Sequence, residues 1–192
     1  SNLGVLSAAT GDVPAMVIVK ANAYGHGAVP VARAVIEAGA AWLGTADLTE
    51  ALQLRSEGVT APVLAWLHEP DTDFAAAIEG GVDVGVSYPE QLERVAATSG
   101  RAVVQLKVDS GLGRNGADTT QWPQLVEAAA AHQRAGRLVV RGVWSHLANA
   151  GPDEDAAQIA RFIEALEEAR AAGLDPELVH LAATAGARRV PA

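Results

Sequence analysis

Short runs of apolar, largely β-branched residues recur along the chain, and each is followed by a stretch of helical periodicity that closes on a glycine. Seven runs stand out, at residues 16–20, 41–45, 62–66, 82–87, 102–108, 138–145 and 178–181. Several are apolar throughout, as strands covered by helices on both faces are, whereas a strand with one wet face would alternate. The alternation of such runs with helical segments predicts repeated βα units and a parallel sheet. Helix ends are also marked. Ser87-x-x-Glu90 reads as a capping box, and Gly39, Gly58, Gly80, Gly100 and Gly173 stand where a left-handed residue stops a helix. The longest helix is predicted over 152–172, with Ile159, Phe162, Ile163 and Leu166 forming an apolar stripe and Glu164, Glu167 and Arg170 turned outward. Packing alone accounts for that helix.

No Ser/Gly linker, charge block or low-complexity tract interrupts the chain, which predicts one domain over 1–192. No Gly-x-Gly-x-x-Gly follows the first run, so the alternation favours a TIM-type (β/α)8 barrel over an open dinucleotide-binding sheet. A complete barrel has eight strands and about 250 residues. Seven runs in 192 residues therefore predict an incomplete barrel.

Composition narrows the function classes. With 49% apolar residues and a mean hydropathy of +0.14, the chain can bury a sizeable core. Fourteen Lys and Arg against 23 Asp and Glu leave a net charge of −9, which argues against a nucleic-acid partner. No stretch reaches the roughly 18–20 apolar residues of a membrane span, and the first residues lack the regions of a secretion signal, so a cytoplasmic location is expected. The absence of cysteine excludes disulfides, thiolate metal sites and cysteine nucleophiles.

In a (β/α) barrel the reactive groups stand at the C-terminal ends of strands. Those ends carry Lys20, Thr45-Ala46-Asp47, Trp66, Ser87, Lys107-Val108-Asp109, Ser145-His146 and Ala182-Ala183-Thr184. Lys20 closes the run MVIVK, so its stem is held by a strand and its amine is presented beside Tyr24. A desolvated lysine can add to a carbonyl, although a lone strand-end lysine is more commonly a solvated one. No second histidine or carboxylate stands at ligand spacing from His146, so no metal is expected there. His26, between two glycines, reads as a turn residue.

Four ordered motifs resemble the alanine racemase family, a set of fold-type III pyridoxal phosphate enzymes. Lys20-Ala21-Asn22-Ala23-Tyr24-Gly25-His26-Gly27 matches the segment of the cofactor lysine, and 46–58 (ADLTEALQLRSEG) resembles the family's second strand end and helix. The stretch 106–116 (LKVDSGLGRNG) resembles its glycine-rich arginine segment, and Trp144-Ser145-His146-Leu147-Ala148 its histidine strand end. Together they cover nearly the whole chain. The resemblance implies that Lys20 binds pyridoxal 5'-phosphate covalently and acts as the base on the D-alanine face. It further implies that Tyr24 and Thr184 offer hydroxyls to the phosphate, that Arg114 bonds the phenolic oxygen, and that His146 lies near the cofactor ring. Lys107 corresponds to a lysine that is carbamylated in some relatives. The expected activity is interconversion of L- and D-alanine for peptidoglycan, in an enzyme that is a homodimer when full length.

The match departs near the last run. Relatives commonly read His-x-x-Asn-Ser-Ala, whereas this chain reads His180-Leu181-Ala182-Ala183-Thr184-Ala185, and Ala183 offers no amide. The resemblance also implies an arginine for the pyridine nitrogen and a C-terminal β-domain with the tyrosine base of the L-alanine face, neither of which falls within these residues. Ser1-Asn2-Leu3 resembles the middle of the family's opening helix, so the sequence is expected to be cut at both ends and inactive alone. Other functions in view are a racemase, decarboxylase or aldolase of another small amino acid, a non-catalytic pyridoxal phosphate carrier, and a ligand-free structural fragment.

Overall fold

A computed structural model describes residues 2–11 and 13–189. All seven predicted strands are present: β1 (Met16–Ile18), β2 (Trp42–Thr45), β3 (Val63–Ala65), β4 (Asp83–Val86), β5 (Ala102–Lys107), β6 (Leu138–Trp144) and β7 (Leu178–His180). Between and around them lie α1 (Asn2–Thr10), the short turn α2 (Lys20–Tyr24), α3 (Ala28–Glu37), α4 (Leu48–Ser56), α5 (Phe74–Glu79), α6 (Pro89–Ala97), α7 (Trp122–Arg134), α8 (Pro152–Ala171) and α9 (Thr184–Arg189). Strands alternating with helices in this way give the TIM-type βα architecture, incomplete at seven strands among the described residues.

The described residues fall into two compact units, 2–84 with 187–189, and 85–186. In the first, β1, β2 and β3 pair in parallel in chain order, and β3 pairs with β4 at Leu64↔Asp83 and Ala65↔Val84. Leu43, Val63, Leu64 and Ala65 are essentially inaccessible, as two-sided burial requires. Arg55, on α4, gives its guanidinium to four backbone oxygens: Nε to Gly80, Nη1 to Val59 and Ala61, Nη2 to Gly81. Burial lowers its pKa, and Asp83 opposes that shift. A single side chain thereby satisfies carbonyls on either side of β3 and before β4.

In the second unit β5, β6 and β7 are parallel, and the β5–β6 register shifts between Val104 and Gln105, so that Gln105 faces Gly142 and Lys107 faces Trp144. A Cβ at Gly142 would lie 3.1 Å from the Gln105 Oε1. Gly142 therefore makes the room that a buried glutamine needs inside a strand.

Three sequence expectations change. Ser87 does not cap a helix: Tyr88 is the residue before α6, and the Ser87 hydroxyl donates to Asn115 Oδ1 at 2.9 Å. Gly80 is not left-handed; the positive φ belongs to Gly81, at +60°, while Gly80 packs against Leu52. The buried face of α8 runs through Asp155, Gln158, Phe162, Ala165, Leu166 and Ala169, and leaves Ile163 49% exposed. Small alanines bring that face close to its neighbours, and the polar Asp155 and Gln158 go inward with it.

Candidate active site

Lys20 stands two residues beyond β1, at the head of α2. Ala21, Asn22, Ala23 and Tyr24 all have φ between +51° and +55°, so the turn is left-handed throughout. Such a conformation disfavours L-residues by roughly 1–2 kcal/mol each, Asn least. The surroundings hold it in place. Ala23 N–H donates to Val19 O at 2.8 Å and Gly27 N–H to Asn22 O at 2.9 Å. The Asn22 side chain accepts from Ala28 N–H at 2.7 Å, at the first turn of α3. Glu50, in the first turn of α4, accepts from Ala21 N–H at 2.6 Å with one oxygen and from Ala46 N–H at 2.8 Å with the other. The lysine ammonium lies 5.9 Å from the centre of the Trp66 ring, and Gly44 in β2 makes space for that ring, since a Cβ there would come within 3.0 Å of it. Tyr24, 62% exposed, and the exposed His26 follow in the same turn, which bears out the reading of His26 as a turn residue.

The second unit gathers a different constellation. Lys107, Trp144 and His180 form a row across β5, β6 and β7. Lys107 is only 4% exposed and its Nζ lies 4.5 Å above the Trp144 ring, on whose indole His180 is stacked at 5.3 Å and 10°. Burial, with Arg114 nearby, lowers the Lys107 pKa to about 8, and Asp109 partly opposes the shift. Desolvation lowers that of His180 to about 4. His180 is therefore neutral near neutral pH, and its Nε2–H donates to Gln105 Oε1 at 2.8 Å.

Arg114 is exposed in the loop 109–116, which is closed by paired backbone bonds: Asp109 N–H donates to Ala117 O, and Ala117 N–H to Lys107 O. Asp109 Oδ1 accepts from Gly111 and Gly113. Gly116, at φ +125°, brings the returning chain so close that a Cβ would sit 2.8 Å from Asp109 N. Two residues of α8 brace this loop and the one after β6. Arg161 donates to Ser110 O at 2.8 Å, and Gln158 accepts from Ala148 N–H at 2.9 Å. The Ser110 and Ser145 hydroxyls are bonded at 2.8 Å, with the half-buried His146 next in sequence. Thr184 is exposed at the start of α9.

These strand ends are those of a known set of proteins. The family model described as alanine racemase, N-terminal domain, matches residues 1–192. The chain belongs to that family. The alanine racemase of Frankia casuarinae is 48% identical over 192 residues, a match covering 96% of this chain and 50% of that protein. Among solved structures, the alanine racemase of the D-cycloserine producer Streptomyces lavendulae superposes with a TM-score of 0.90 at 44% identity, covering 94% of this chain and 49% of that one. A histidine racemase of Leuconostoc mesenteroides is similar too, with a TM-score of 0.83 at 29% identity, covering 97% and 50%. The chain spans about half the length of the alanine racemases it matches.

Within this alanine racemase domain, the first unit brings together Lys20 and Tyr24, and the second brings Lys107 and Arg114. Glu50, Asn22, Gln105, Gln158, Arg161 and His180 acquire their contacts here from the fold and not from any motif role. Some carried a signal. Asp47-x-x-Glu50 is a helix-start pattern, and Gln105 shares a strand face with Lys107 in an otherwise apolar run.

Proposed function

We propose that this chain is the lysine-bearing half of a pyridoxal phosphate-dependent alanine racemase, one partial barrel domain. The reading rests above all on the Lys20 turn, in which a strand-end amine heads four consecutive left-handed residues. Backbone strain of this kind persists where surrounding structure over-determines it, and it clusters at functional sites. Tyr24 is the telling member: it keeps a positive φ with an exposed ring, so core packing does not account for its conformation.

The residues present suit pyridoxal 5'-phosphate. On the resemblance of its motifs, Lys20 would offer an amine for the carbonyl carbon, Tyr24 and Thr184 hydroxyls for phosphate oxygens, Arg114 a cation for the phenolic oxygen, and His146 an imidazole near the ring. Bound there, the cofactor would supply an electron sink for negative charge at the substrate Cα. Lys20 takes or returns the proton on the D-alanine face through Nζ. Racemisation needs a base on each face, and Lys20 is the one assigned here. Lys107, buried and with its pKa lowered to about 8, keeps a neutral fraction of amine able to add carbon dioxide. Carbamylation would turn that cation into an anion facing Arg114.

Alanine is the assigned substrate because the alanine racemases reach 48% identity, against 29% for the histidine racemase. The full-length protein is assigned as a cytoplasmic homodimer making D-alanine for peptidoglycan, with neither nucleic acid nor membrane as partner. No helix among the described residues is long and apolar enough to cross a membrane. The test is direct. Pyridoxal phosphate added to the chain should give the visible absorbance of a lysine-bound cofactor, and Lys20→Ala should abolish it. An unchanged signal in that variant would refute the assignment, and full-length protein offered alanine and histidine separately would decide the substrate.

A further inference from the structure

We infer that Glu50 is a positioning residue for Lys20: its carboxylate ties the amide that follows the lysine to the end of the neighbouring strand, and so holds the left-handed turn that the lysine heads. The inference rests on Lys20 being the cofactor lysine. A glutamate at this place in a helix ordinarily reaches back to the amide of the capping residue itself. Glu50 does something else. Its own backbone is fixed by Asp47, whose Oδ1 accepts from Glu50 N–H at 2.9 Å. Its two oxygens then leave the helix, Oε2 to Ala46 N–H at 2.8 Å and Oε1 to Ala21 N–H at 2.6 Å, 29 residues away in sequence. Capping α4 requires no contact with Ala21.

The position also favours a carboxylate over any neutral isostere. It lies in the first turn of α4, where the helix dipole stabilises negative charge. Both of its partners are N–H donors, and each occupies one oxygen. A glutamine would present one acceptor and one NH2 group, so one of the two amides would face another donor. At the other end of the turn Asn22 grips Ala28. Ala21 to Tyr24 are thus restrained from both sides, and Lys20 enters the turn immediately before the residue that Glu50 holds.

Two measurements on the chain test this. Hydrogen exchange followed by NMR should show the Ala21 and Ala46 amides protected in the unsubstituted chain, at least one of them released in Glu50→Gln and both in Glu50→Ala. Pyridoxal phosphate at subsaturating concentration, trapped by borohydride and located by peptide mass, should label Lys20 about ten- to a hundredfold more slowly in Glu50→Gln and Glu50→Ala alike, because small misplacements of a reacting group are amplified in rate. Amides that stay protected in Glu50→Ala would overturn the inference, as would trapping of Glu50→Gln at the original rate. Should the unsubstituted chain be labelled at another lysine, the cofactor-lysine reading fails, while the exchange protection of Ala21 and Ala46 still decides whether Glu50 holds the turn.

Discussion

Lys20 and Lys107 occupy equivalent places, each at the end of a parallel strand, and the protein treats them in opposite ways. Around Lys20 the specification is in the backbone: a left-handed turn with one amide held by Glu50, its own Asn22 side chain holding the first amide of α3, and an amine left half-buried near an indole face. Around Lys107 the backbone is ordinary strand and the specification lies in the solvent it excludes, with the ammonium pressed against Trp144 and its pKa brought down to about 8. One lysine is placed; the other is tuned. Topology marks out where reactive groups stand, and the local environment decides which chemistry each can do.

The contrast is broken most severely at Trp144. Trp144→Ala removes a buried indole that packs against both Lys107 and His180, and should lower stability by about 3–5 kcal/mol in denaturant unfolding. In the same variant water reaches the Lys107 amine, whose pKa should climb back toward 10.5 when followed by NMR of the lysine ε-carbon. A value that stays near 8 would mean that Arg114, and not desolvation, governs the shift.

The two regions also differ in how far the sequence discloses them. The seven strands were legible because two-sided burial writes uninterrupted apolar runs, and Lys20, Lys107 and Arg114 were legible because they stand at or just after strand ends within recognisable motifs. The restraints were not. Glu50 meets Ala21 across 29 residues and Gln105 meets His180 across 75, and no local periodicity encodes such pairings. The same limit explains the errors. Ser87 has a capping pattern, but its hydroxyl finds Asn115, 28 residues on, and the apolar stripe drawn on α8 missed that Gln158 goes inward to hold Ala148. Left-handed Ala21 and Ala23 run against local propensity altogether, as residues fixed by tertiary restraint do.

Tuning by burial carries a pH signature that placement by backbone does not. Lys107 releases its proton near pH 8 in the folded chain and near 10.5 when unfolded, so in that interval the unfolded state holds more protons and stability rises with pH. His180 acts in the same direction lower down: folded near 4 and unfolded near 6.5, it stays neutral in the fold while the unfolded chain takes up a proton, so stability is lost as pH falls through that window. Each window is worth up to about 3 kcal/mol. Denaturant titrations in carbonate-free buffer should show both slopes, Lys107→Met flattening the alkaline one and His180→Phe the acid one. A profile unchanged by either substitution would remove desolvation as the tuning device.

The smallest expected effect tests the other half of the comparison. Asn22 serves the Lys20 turn twice, tolerating φ +53° better than most residues and accepting the Ala28 amide at the start of α3. Asn22→Ala loses both and should cost about 1 kcal/mol, the usual value of a helix-start acceptor. Asn22→Asp keeps the acceptor and the left-handed tolerance, so it should recover most of that loss. If instead the aspartate variant is as unstable as the alanine one, the Ala28 bond is not what secures this end of the turn, and the left-handed backbone depends on Glu50 and its own internal hydrogen bonds alone.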